Sequence, residues 1–335
     1  METTFNLTPT SSLLAQQFPG QVGDLIPFLL DPSITDIFIN GHHSIWIEKK
    51  GVLEETPLHL KESLIWDLVE RMMLPLQRRL SSAFPFADGT LSDGSRFHIV
   101  LPPTALPGPS ISIRKHAALE KGQNLSWGTD PSIGAWLERQ FMARKNILIA
   151  GATGAGKTTL ARQLLAHTDQ TERVVILEES RELTINHPHV LSLEARPTHP
   201  ELAGEIPLRT LLKQALRMRP NRIVLGECRG EEAVEWVHAM NTGHRGTLTT
   251  VHANSALQGL RRMENLIRMG LPHVNTLVIR ENIASTLEVI VFVQQERGMR
   301  RIDEMVTLHG LEGEVIRYNV IVDRHTWIDR SEEKK

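Results

Sequence analysis

Apolar and polar positions alternate differently in the two halves of the chain. In the first half, residues 25–30 form a short apolar run that stops at Asp31-Pro32, where the proline disfavours further helix. Residues 34–39 alternate as a strand, Asn40-Gly41 is a turn signal, and residues 45–47 form a second strand before Gly51. Leu64, Leu68, Met72, Met73, Leu76 and Leu80 recur at helical spacing and predict a helix over 64–80. Residues 97–101 and 111–113 read as strands around a proline-rich turn. These elements predict a small α+β domain over 21–115, preceded by a loose polar lead-in over 1–20 and followed by an irregular linker over 116–130.

From residue 131 onward, strands and helices alternate. Helices are predicted over 132–143, 157–167, 207–218, 231–241 and 255–269, the last stopping at Gly270 as its C′ residue. Strands are predicted over 146–150, 173–178, 189–195, 222–226 and 246–251. Such alternation implies an α/β domain over 131–335 with a mostly parallel sheet covered by helices on both faces. The tail changes character: residues 289–293, 300–308 and 315–322 read as antiparallel strands, with Glu312-Gly313 as one turn.

Composition narrows the classes. The 335 residues fit two ordinary domains, and 41% hydrophobic residues suffice for real cores. With 37 basic and 39 acidic side chains the formal charge is -2, so no bulk attraction to nucleic acid or membrane is expected. The single cysteine, Cys228, excludes internal disulfides and CxxC zinc modules. The first residues lack the pattern of a signal peptide. Because no apolar run reaches about 18 residues, the chain is expected to meet a membrane only through partners.

The most informative stretch is Gly151-Ala152-Thr153-Gly154-Ala155-Gly156-Lys157-Thr158-Thr159. It reads G-x-x-x-x-G-K-[ST] between a predicted strand and a predicted helix, the context a phosphate-binding P-loop requires. The glycines let the backbone turn its N–H groups toward phosphate oxygens, and the helix start adds partial positive charge. Lys157 is placed to reach the outer phosphates of a nucleotide, and Thr158 to ligate Mg²⁺.

Three further stretches carry chemistry. A buried strand over 174–178 releases Glu178, Glu179 and Glu182, carboxylates able to hold Mg²⁺ or orient water. The run over 222–230 delivers Glu227 where P-loop enzymes place a carboxylate for the metal and the attacking water. The stretch over 240–255 flanks a strand with His244 and His252; as a zinc pair they lack further ligands at metal-site spacing.

The order GATGAGKT, ILEESREL, LRMRPNRIVLGECRG and AMNTGHRGTLTTVHANS resembles the type II/type IV secretion traffic ATPases, most nearly the CpaF-like ATPases of Tad/Flp pilus machines. DPSITDIFING, LSDGSRFHIVLPP and GPSISIRK extend the resemblance over roughly residues 26–323. It implies a PAS-like N-terminal domain, a RecA-like ATPase domain and a homohexameric ring. It also implies ATP and Mg²⁺ as ligands, with Thr158, Glu227 and Glu178 near the metal. Glu227, Glu178, Glu182, His252 and His244 are implied as catalytic groups. Arg96 and Arg114 match the N-terminal arginines that approach the phosphates in that family. The family's acidic box reads Glu-Asp, whereas this chain has Glu178-Glu179. The implied setting is the cytoplasmic face of an inner membrane, with a platform protein of a pilus or secretion machine as partner. A conjugation or type IV secretion ATPase is the alternative. A nucleic-acid motor is disfavoured because aromatics are only 5% of the chain, too few for a stacking groove.

Overall fold

The computed structural model describes residues 20–42, 44–49, 51–76, 79–106, 108–115, 127, 130–196, 204–296 and 299–328. Residues 1–19 of the lead-in expected over 1–20, and nearly all of the expected linker, lie outside the described residues. The chain forms two compact units, parting near residue 122.

The first unit contains α1 (Ile26–Leu30), β1 (Ile34–Asn40), β2 (Ser44–Lys49), β3 (Val52–Glu55), α2 (Glu62–Met73), β4 (Phe86–Thr90), β5 (Arg96–Val100) and β6 (Ser110–Arg114). The strands form an antiparallel sheet in the order β3-β2-β1-β6-β5-β4. Ile37 and Ile39 of β1, Ile99 of β5 and Ile111 of β6 bury one face against Ile65, Leu68 and Met72 of α2. That helix ends earlier than its apolar spacing predicts, because Pro75 removes an N–H and the chain tightens into a 3₁₀ turn over Leu74–Leu76.

The second unit contains α3 (Pro131–Met142), β7 (Ile147–Gly151), α4 (Lys157–Leu165), β8 (Val174–Glu178), β9 (Val190–Glu194), α5 (Leu208–Ala215), β10 (Arg222–Leu225), α6 (Glu232–Asn241), β11 (Leu248–His252), α7 (Ala256–Gly270), α8 (Thr276–Thr286), β12 (Val289–Glu296), β13 (Met299–Glu312), β14 (Val315–Asp323) and β15 (Thr326–Trp327). Its sheet runs β15-β14-β13-β12-β7-β11-β10-β8-β9. Successive residues of β7 serve opposite cores. Leu148 and Ala150 join the layer built on α5–α8, while Ile147 and Ile149 join the layer of α3 and α4. A strand buried on both faces reads as a near-continuous apolar run, and every residue of β7, β8 and β10 is buried, including the charged Glu178 and Arg222 at strand ends.

Three differences from the sequence pattern have physical causes. The strand β12 is the last parallel strand as well as the first of the antiparallel tail: it pairs parallel with β7 on one edge and antiparallel with β13 on the other. The helix α8 was not expected, since its Val278-Ile279 pair disfavours helix; Asn275 caps it by accepting from the Leu277 N–H, and Ile279 and Ile283 bury one stripe. Gly270 belongs to α7 itself. A Cβ there would lie 2.7 Å from the Val234 side chain, so close packing on α6 requires the glycine.

Asn146 fixes the start of β7. Its buried side chain accepts from the N–H groups of Gly246 (2.9 Å) and Thr247 (3.1 Å) and donates to the carbonyl of Thr286 (2.8 Å). One amide thus ties β7 to the entry of β11 and the end of α8. Asn146→Ala leaves these buried groups without partners and should cost about 2–4 kcal/mol. Chemical denaturation of wild type and variant measures it; a loss under about 0.5 kcal/mol would contradict this role.

Candidate functional site

The parallel strands β7, β11, β10 and β8 lie side by side, with His252 opposite Gly151, Leu225 opposite Thr249, and Leu225 opposite Leu177. Their C-terminal ends therefore open on one edge, where an α/β sheet offers a ligand crevice. Gly151 ends β7, His252 ends β11, Glu227 follows β10 and Glu178 ends β8. The order of strands is what gathers residues separated by about a hundred positions.

The loop after β7 turns on Gly154 (φ 76°) and Gly156 (φ 101°), conformations that side-chain-bearing residues resist. A Cβ on Gly151 would lie 2.7 Å from the Val293 carbonyl, so β12 also enforces a glycine there. Ala152, Thr153 and Gly154 are exposed, while Ala155 is buried and anchors the loop. The ammonium of Lys157 is buried and donates to the carbonyls of Gly151 (3.0 Å) and Ala152 (2.9 Å). Burial pushes its pKa below the ordinary lysine range, and the charge of Glu227 opposes that shift.

A polar chain leads outward from Lys157. Its ammonium lies 3.3 Å from His252 Nδ1, and His252 Nε2 lies 3.0 Å from Glu227 Oε1. An ammonium only donates, so Nδ1 accepts and Nε2 carries the proton that goes to Glu227. Burial and the Lys157 charge lower the His252 pKa, in keeping with a neutral ring. Arg229 grips both oxygens of Glu227 (2.8 and 3.0 Å) and reaches Glu179 Oε2 at 2.7 Å. The pattern of residues around Glu227 did not single out Arg229, although a guanidinium two positions along can fold back on that carboxylate.

A second branch concerns the acidic stretch. Glu178 is buried, and its Oε1 accepts from the N–H groups of Glu182 (3.1 Å) and Leu183 (3.0 Å). It shapes the loop that presents Glu182, whose Oε2 lies 3.3 Å from the Thr158 hydroxyl. Arg162 holds the same loop by donating to the Glu182 carbonyl at 2.8 Å. Gly226 makes room: a Cβ there would lie 2.8 Å from Glu178 Cγ. Among the described residues no group of three or more His, Cys, Asp or Glu side chains could hold a metal by itself. A Mg²⁺ site completed by phosphate oxygens needs only one or two protein ligands, and the converging Thr158 hydroxyl and Glu182 carboxylate fit that requirement. Glu182, rather than Glu178, stands next to Thr158.

Not every expected residue joins this cluster. His244 sits in the turn before β11, with Nδ1 3.3 Å from the Ala239 carbonyl and from the Thr242 hydroxyl. The five residues of β11 separate it from His252 by at least about 13 Å at some 3.3 Å per residue, so it lies at the opposite edge of the sheet. His244 is therefore not among the residues gathered around Lys157, because a residue preceding a strand emerges at that strand's N-terminal end. Arg96 and Arg114 belong to the other unit, where they face each other across β5 and β6. Arg114 also lies 3.6 Å from Asp36.

A glycine-rich P-loop on a mostly parallel sheet, with carboxylates at the ends of β10 and β8 and an antiparallel α+β unit before it in the chain, defines a two-domain protein of the RecA-like P-loop class. Residues 21–305 match the family "Type II/IV secretion system protein", and the chain belongs to that family. It is 36% identical over 304 residues to a Mycobacterium tuberculosis chain given a conjugal-transfer description, covering 88% of this chain and 86% of that one. It is 32% identical over 329 residues to the type IV secretion system protein PtlH of Bordetella pertussis, covering 86% and 94%. Among solved structures, the pilus retraction motor PilT with bound ADP superposes with a TM-score of 0.64 at 19% identity, covering 90% of this chain and 82% of that one. The Legionella pneumophila ATPase DotB superposes with a TM-score of 0.58 at 18% identity, covering 91% and 80%. Both structural likenesses concern the fold.

The buried Glu178 generates a pH prediction. Burial raises its pKa from the ordinary 4.5 to about 7, against the two N–H bonds that lower it. Between these values the folded chain keeps a proton that the unfolded chain releases. Stability from this group is therefore full below about pH 4.5 and falls as pH rises toward 7, by at most about 3 kcal/mol. Glu178→Gln, which keeps the acceptor and cannot ionise, should be more stable than wild type at pH 8 and should lose that advantage at pH 5. Denaturant midpoints of both proteins at the two pH values check this; an equal difference at both would contradict it.

Proposed function

We propose that the chain is a motor ATPase that hydrolyses the β–γ bond of Mg·ATP to drive a secretion or conjugation machine. The observation that carries this reading is the convergence of Lys157, His252, Glu227, Thr158 and Glu182 at one strand edge. Lys157 gives up its two carbonyl acceptors for phosphate oxygens, a stronger, charge-assisted partner. Thr158 and Glu182 would hold Mg²⁺, which supplies charge neutralisation on the phosphates. Glu227 orients the attacking water and takes part in its deprotonation. His252, bridging Glu227 and Lys157, relays the presence of phosphate at the lysine to that carboxylate. Arg96 and Arg114 are proposed to stabilise charge developing on the phosphates, guanidinium groups being suited to oxyanions.

The finer reading concerns the machine. The conjugation or type IV secretion alternative is favoured over a Tad/Flp pilus motor, because PtlH and the mycobacterial chain match along nearly their whole lengths. The Tad/Flp reading rests on motif likeness alone. The proposed working form is a homohexameric ring at the cytoplasmic face of the inner membrane, bound to a membrane protein of the machine. No helix among the described residues is long and apolar enough to cross a membrane.

Two variants test the chemistry. Lys157→Ala should abolish turnover while the chain stays folded, since the ammonium is bonded to loop carbonyls rather than packed among apolar groups. Glu227→Gln should retain ATP binding within a few-fold yet lower kcat by about a hundredfold or more, the signature of a group used mainly in the transition state. Phosphate release and equilibrium nucleotide binding measure both. Wild-type turnover in either folded variant would contradict the proposed site.

A further inference from the structure

The strand β13 brings an arginine onto the phosphate loop. Arg300 Nη1 lies 3.3 Å from the Thr159 hydroxyl. A Cβ on Gly156 would meet Arg300 Cδ at 2.8 Å, Arg300 Nε at 3.2 Å and Trp127 Cη2 at 3.2 Å. The arginine stem and the indole thus both lie against the loop glycine. Trp127 is itself fixed, its indole N–H donating to Gln163 Oε1 at 2.6 Å and its carbonyl accepting from the Ile302 N–H at 3.2 Å. The last bond joins Trp127 to β13, so the backbone two residues beyond Arg300 is tied down.

Helix geometry shows which end of a nucleotide this arginine faces. Lys157 and Thr158 point toward His252 and Glu182, the side assigned above to the outer phosphates and the metal. Successive helix residues turn by about 100°, so Thr159 presents its hydroxyl on another side of the helix start. A P-loop cradles the inner phosphates with the backbone of its last residues, over which Arg300 lies. We propose that Arg300 holds the inner end of the nucleotide, its guanidinium donating to the α-phosphate. The guanidinium lies 3.3 Å from Thr159, so a small swing brings it onto an anion at the helix start. This inference rests on the nucleotide-binding reading of the loop.

The α-phosphate is common to ADP and ATP and takes no part in β–γ cleavage. Loss of its contact is therefore a loss of uniform binding, which raises Kd without lowering kcat. Arg300→Gln should weaken Mg·ADP and a non-hydrolysable ATP analogue by the same factor, about tenfold or more, with kcat at saturating ATP unchanged. Arg300→Lys keeps the charge without the fork and should recover part of the loss. Equilibrium binding of both nucleotides to wild type and both variants, with kcat alongside, makes the test. Unchanged affinities would overturn the inference. So would a loss confined to the triphosphate with a lower kcat, which would place Arg300 at the γ-phosphate. A wild-type chain that binds neither nucleotide is a separate outcome; it removes the nucleotide reading and this inference with it.

Discussion

A buried ammonium must be surrounded by acceptors, and at this strand edge Lys157 has three: two loop carbonyls and a histidine nitrogen. Each acceptor constrains something else. The carbonyls of Gly151 and Ala152 can face the ammonium because the loop turns back through the positive φ angles of Gly154 and Gly156. The histidine nitrogen must be unprotonated, which turns the other ring nitrogen, with its proton, toward Glu227. Glu227 then needs a counter-charge on its far side, and Arg229 supplies it while reaching Glu179. One desolvated cation thus sets the tautomer of a histidine and the direction of a carboxylate.

The acidic stretch answers a different cost. Glu178 sits in an apolar strand end, under a glycine that leaves it room, and is held by two N–H groups. Burial drives it toward the neutral acid. Its neighbour Glu182 stands beside Thr158 at the mouth of the loop. Two glutamates four residues apart are thereby placed differently: one stays inside and shapes the loop, the other stands at its surface beside the Thr158 hydroxyl. Spacing alone ranks neither above the other; what distinguishes them is that Glu178 still belongs to the buried strand.

Much of the fold can be read from residue patterns because parallel strands buried on both faces are apolar throughout, as in residues 147–150 and 174–177. The tail is harder, since β12 presents the same apolar run whether its neighbour is parallel or antiparallel. The helix α8 hides behind β-branched residues, and only Asn275 and the Ile279–Ile283 spacing point to it. In the candidate site, Lys157 is announced by the G-x-x-x-x-G-K-[ST] spacing and Glu227 by the apolar strand β10 that runs up to it. Arg229 and Arg300 do not, because their roles depend on how a side chain folds back or on which strand pairs with which. His244 shows the converse: a histidine near a strand means little until the end of the strand it occupies is known.

The most direct test of this account is the structure of the chain with Mg²⁺ and a non-hydrolysable ATP analogue. The account predicts phosphates within the loop over residues 151–159, with Lys157 Nζ moved from the Gly151 and Ala152 carbonyls onto phosphate oxygen. Glu227 should then face the space beyond the γ-phosphate. Nucleotide bound elsewhere, or a lysine still held by both carbonyls beside a bound triphosphate, would contradict it.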